Sequence, residues 1–96
     1  MNDFGIRDKV LEEIKDMAVE CRVELVILFG SRARGDYKRT SDIDLAVKGG
    51  DVVKFTLGME DTSTLLEFDV VDLNSSVTQE LLELIMLEGK TIYEKS

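Results

Sequence analysis

Ninety-six residues make one domain, with a modest core and little chain to spare for enclosing a substrate. A hydrophobic fraction of 44% and a charged fraction of 33% describe an ordinary globular protein rather than a disordered one. The net charge of −8 comes without a basic stripe and argues against holding DNA or RNA directly, while the single cysteine, Cys21, excludes an intramolecular disulfide.

In chain order, the segment Met1-Asn2-Asp3-Phe4-Gly5 lacks the basic-then-apolar pattern of a leader, and no apolar run approaches membrane-spanning length, so a cytoplasmic location is expected. Ile6, Val10, Leu11, Ile14, Met17 and Ala18 recur at helical spacing, with Asp8, Lys9, Glu12, Glu13 and Asp16 opposite, predicting an amphipathic helix over 5–21. Residues 23–29 are rich in β-branched and large apolar side chains and read as a mostly buried strand. Gly30 then permits a sharp turn, with no Cβ to bar a phosphate, and Ser31 is placed to cap a short helix through Arg32, Ala33 and Arg34. Arg32, Arg34, Lys38 and Arg39 gather positive charge suited to offsetting the field of a bound triphosphate.

A second strand follows over about 42–48, in which Asp42 and Asp44 share one face while Ile43, Leu45 and Val47 point into a core. Two carboxylates side by side repel unless a cation lies between them, and an all-oxygen site of this kind suits Mg²⁺ shared with substrate phosphates. Gly49-Gly50 breaks the pattern, and Asp51 is placed to cap a short helix carrying Val52, Val53, Phe55 and Leu57. A third strand is expected over 65–73. Ser76-x-x-Gln79 fits a capping box for a last helix lined by Val77, Leu81, Leu82, Ile85 and Met86 and ended by Gly89, before a short strand at Thr91-Ile92-Tyr93.

Two-metal transfer chemistry clamps both the attacking and the leaving oxygens, which calls for a third acid on a neighbouring strand. Asp69 and Asp72 are the candidates, and they point to opposite faces. Asp69, within Phe68-Asp69-Val70-Val71, looks buried and is preferred, because perturbed carboxylates gather at functional sites.

Gly30-Ser31-x-Ala33-Arg34-Gly35, followed after a short loop by Ser41-Asp42-Ile43-Asp44-Leu45-x-Val47, resembles the signature of the minimal nucleotidyltransferase family, within the DNA polymerase beta-like nucleotidyltransferase superfamily. The resemblance implies an α/β (α+β) fold spanning 1–96, a small mixed β-sheet with helices mainly on one face and Asp42, Asp44 and Asp69 on the open one. It implies a catalytic, metal-binding set of Asp42, Asp44 and Asp69, with Gly30, Ser31 and Ser41 at the nucleotide; Arg32 and Arg34 join them as nucleotide-binding candidates whose alternative role is a salt bridge to Asp36 or the acidic surface. It further implies ATP as substrate with Mg²⁺, as two ions, and a hetero-oligomeric partner, a HEPN-type ribonuclease toxin adenylylated on a tyrosine. Two other functions compatible with such a chain are an idle-site antitoxin that neutralises its partner by occlusion and nucleotidyl transfer to a small molecule such as an aminoglycoside.

Overall fold

The computed structural model describes residues 3–95; Met1 and Asn2 of the opening segment, and Ser96, lie outside them. Four helices and four strands alternate: α1 (Asp8–Glu20), β1 (Leu25–Phe29), α2 (Ser31–Arg34), β2 (Ile43–Lys48), α3 (Val52–Met59), β3 (Phe68–Asp72), α4 (Gln79–Glu88) and β4 (Lys90–Glu94). The strands form one mixed sheet in the order β3-β2-β1-β4, with β1 antiparallel to both β2 and β4 and β2 parallel to β3. No described helix is long and apolar enough to cross a membrane.

Alternation along the strands divides the interior into two layers. Val26, Leu28, Ile43, Leu45 and Val47 point to the side covered by α1 and α3, where they meet Val10, Ile14, Ala18, Phe55 and Met59. Ile27, Phe29 and Ala46 point the other way and meet Ile85 of α4. Covered on both faces, β1 therefore needs the continuous apolar run Val26-Ile27-Leu28-Phe29 rather than an alternating one. Cys21 is a buried free thiol in the first layer.

The sheet face expected to be open is therefore partly closed by α4. This helix also differs from expectation at its start: Thr78, not Ser76, is the cap, accepting from the Leu81 N–H at 3.2 Å. Gln79 is the first helical residue and reaches forward to Glu83 instead of back to a cap. Of the expected apolar stripe only Ile85 is buried in α4; Met86 is 72% exposed, and Leu84 and Leu87 are exposed beside it. Gly89 ends the helix without a left-handed turn, at φ −66° and ψ 146°. Its lack of a side chain serves close packing, since a Cβ there would run into the Ile85 carbonyl oxygen and the Ile27 side chain. The third strand is shorter than the apolar run around it, and Leu65 stands fully in solvent.

Candidate active site

The turn after β1 sets the geometry. Gly30 has φ 78°, and a Cβ on it would collide with Oδ2 of Asp44 on the adjacent strand, so only glycine lets these two groups lie together. Phe29 pairs with Asp44 in the antiparallel ladder, which places the first turn of α2 directly over that carboxylate. Gly30, not Ser31, is the N-cap of α2, and Ser31 is its first residue.

The parallel ladder between β2 and β3 pairs Asp44 with Asp69, side by side on the face that also carries Phe29 and Ala46. Asp42 precedes β2 by one residue and lies exposed at its mouth. Burial pushes the Asp44 carboxyl above its ordinary value of 3.8, and the neighbouring charges of Asp69 and Asp42 push it further; Arg34 opposes them and Glu88 adds to them. Like charges side by side on paired strands are destabilising, so this grouping costs stability in the absence of a counter-ion. Among the described residues no three acids already converge as a metal cage. The donors are nonetheless all carboxylate oxygens around a half-buried, charge-frustrated Asp44, the chemistry a hard divalent cation relieves.

The burial expected for Asp69 is not found: it lies exposed on the edge strand β3. Asp72 is the less exposed of the two and is committed elsewhere, its Oδ1 accepting from the Asn74 N–H at 2.8 Å and its Oδ2 from the Ser75 hydroxyl at 3.2 Å. Asp72 thus shapes the turn after β3, and Asp69 is distinguished by register, not by desolvation.

The arginines separate sharply. Arg32, expected at the nucleotide, is 2% exposed. Its five N–H donors meet five backbone carbonyls: Ser41 at 3.0 Å, Phe4 at 3.0 Å, Gly5 at 3.2 Å, Lys38 at 3.4 Å and Arg39 at 3.3 Å. The guanidinium also lies 4.9 Å from the centre of the Tyr37 ring. It is a tie that holds the opening segment and the 38–41 loop against α2, not a group free to grip phosphate. Ser41 shares that task, its Oγ accepting from the Lys38 N–H at 2.8 Å. Arg34 instead stays exposed near the acids, bonding Asp36 at 3.3 Å and Glu88 at 3.1 Å. Those carboxylates raise its already high pKa, so it remains a cation throughout.

Glu88 is invisible to motif and spacing, yet its Oε1 accepts the Gly30 N–H at 3.0 Å. The one sequence signal for it is an acid in the last turn of a helix, where the helix dipole disfavours negative charge. Beside Asp42, a groove of about 990 Å³ runs past Arg39 and Thr40 toward Arg7, Val10 and Leu66.

Residues 12–96 match the family described as Polymerase beta, Nucleotidyltransferase. Protein adenylyltransferase MntA of Shewanella oneidensis is 31% identical over 91 residues, covering 90% of this chain and 63% of that protein. A protein of Methanocaldococcus jannaschii is 41% identical over 61 residues, covering 64% of this chain and 59% of that one. The chain thus spans about six-tenths of the length of these curated relatives. Among solved structures, a toxin–antitoxin complex with AMP-PNP superposes with a TM-score of 0.73 at 25% identity, covering 88% of this chain and 73% of that chain. The chain belongs to the polymerase beta nucleotidyltransferase family, whose members take a nucleotide as substrate and usually use a divalent metal.

Proposed function

We propose that this chain is a protein adenylyltransferase that moves AMP from Mg-ATP to a tyrosine hydroxyl of a HEPN-type toxin partner. The observation that carries this reading is the pairing of Asp44 with Asp69 on adjacent strands beneath the Gly30 turn. It is supported by the 31% identity to a protein named as an adenylyltransferase and by the likeness to a toxin–antitoxin complex.

In this reading Gly30, Ser31 and Arg34 hold the β- and γ-phosphates, and the groove beside Asp42 gives the rest of the substrate room. The acceptor oxygen bonds to the α-phosphorus in line as the bond to the oxygen bridging the β-phosphate breaks. Pyrophosphate departs with that electron pair, and the hydroxyl proton passes to the Asp69 carboxylate. Mg²⁺, as two ions held by Asp42, Asp44 and Asp69, would neutralise charge on the leaving group and acidify the acceptor. The chain's own contribution is position and electrostatics.

Incubation with Mg²⁺, labelled ATP and a HEPN-type toxin partner is expected to add AMP to a tyrosine of that partner, read by intact and peptide mass. A stable complex of the two proteins with no label transferred would overturn catalysis in favour of occlusion.

The two acids of β3 give a second test. Asp69→Asn should slow transfer by about 100-fold, or ~2.7 kcal/mol in the barrier. Asp72→Asn should leave the rate within about threefold while costing the fold about 1 kcal/mol, since its turn bonds are weakened. Rates equal to wild type in both variants would remove Asp69 from the mechanism.

A further inference from the structure

A contact across the turn that the proposed chemistry does not use is made by Glu88. Its carboxylate accepts the Gly30 N–H at 3.0 Å through Oε1 and the Arg34 guanidinium at 3.1 Å through both oxygens. Two donors, 58 and 54 residues away in the chain, converge on one anionic group whose side chain is only 11% exposed.

We propose that Glu88 is a built-in anion that occupies the phosphate-binding groups Gly30 N–H and Arg34, and that the triphosphate must displace it to bind. This inference rests on the nucleotide reading given above and deepens it by naming the residue that sets nucleotide affinity. A phosphate oxygen and a carboxylate oxygen make the same demand on an N–H and a guanidinium, and the two anions cannot occupy those donors together. Each phosphate contact therefore forms only as a Glu88 contact breaks, and affinity falls by the difference. Release of Glu88 frees Arg34 to swing onto phosphate while Asp36 still holds its Nε at 3.3 Å.

Two features make this more than a surface ion pair. Glu88 is the last residue of α4, where the helix dipole repels an anion, so local helix energetics do not select it. Gly89 then lets the end of α4 press onto Ile27, which fixes the carboxylate against the Gly30 turn rather than leaving it in solvent. An exposed pair with Arg34 alone would need neither the glycine nor the Gly30 N–H.

The test is calorimetric titration of the full chain with Mg-ATP and, separately, with Mg-pyrophosphate. Glu88→Gln, which keeps the shape and removes the charge, is expected to bind both ligands about three- to tenfold more tightly than wild type. Glu88→Ala, which vacates both donors, should gain at least as much; if it proves unfolded by circular dichroism, the isosteric Gln variant decides. Glu83→Gln removes one exposed charge from the same helix and should change binding less than twofold. Equal or weaker binding by Glu88→Gln, with wild type binding normally, overturns this inference alone. An equal gain from Glu83→Gln overturns it too, by reducing the effect to net charge. Failure of every protein to bind either ligand overturns the nucleotide reading itself, and this inference with it.

Discussion

Replacing Arg32 with Ala is expected to cost roughly 3–5 kcal/mol of folding stability, the range found when one partner of a buried charged network is removed. Small domains hold only about 5–15 kcal/mol in total, so much of the protein would be lost. The reason is the matching of five guanidinium N–H groups to five backbone carbonyls in a site 2% exposed. Alanine leaves those carbonyls facing a void, and each buried carbonyl left without a donor carries a desolvation penalty. Arg32→Lys should recover only a fraction, because an ammonium has three donors at a point and cannot span the same ring of acceptors. For a domain of this size, ~1 kcal/mol corresponds to about 4–8 °C, so a fall in melting temperature beyond about 10 °C is expected for Ala. A variant that melts with wild type and loses only nucleotide binding would return Arg32 to the phosphate and undo its placement as a tie.

Asp44→Asn is expected to reduce transfer by 1000-fold or more, about 4 kcal/mol in the barrier, while making the free protein more stable. The two effects have one cause. Burial and the charges of Asp69 and Asp42 hold the Asp44 carboxyl above its ordinary value of 3.8, so at neutral pH the ionised group is a net cost to the fold. The sign follows from proton binding: between the raised folded pKa and 3.8 the native state holds a proton that the unfolded chain does not. Wild type should therefore gain stability as the pH falls from neutral through that window, and the advantage of Asp44→Asn should shrink and vanish below it. Melting curves of both proteins across the acid range, without divalent metal, measure this. Loss of stability in Asp44→Asn together with retained transfer would show that the carboxylate is structural and that the chemistry lies elsewhere.

Part of the candidate site is legible in the amino-acid sequence alone, and the reason is local. A glycine closing an apolar run marks a turn by backbone geometry, whereas Asp42 falls one residue before β2, so strand alternation alone does not fix the face it shares with Asp44. The cap at Asp51 is likewise local, its carboxylate accepting the Lys54 N–H at 3.0 Å within three residues. The element order likewise follows from periodicity, and the mixed sheet from the resemblance of the Gly30–Val47 stretch to a known signature.

What only the tertiary structure decided concerns partners distant in the chain. Arg32 and Arg34 are indistinguishable by type and near neighbours in sequence, but two residues along a helix rotate a side chain to nearly the opposite side. One therefore turns into the carbonyls of residues 4, 5, 38, 39 and 41, and the other stays at the surface with Glu88 and Asp36. Asp69 looks buried in sequence because its neighbours are apolar, yet the parallel pairing leaves β3 at the sheet edge, where its acid meets solvent and also stands beside Asp44. Glu88 carries no motif at all. Its arrival at Gly30 depends on where α4 crosses the sheet, which Ile85 and Gly89 set by packing against β1. Spacing along a chain encodes which face a side chain takes; which distant group meets it there is set by strand order and by the close approach of packed elements.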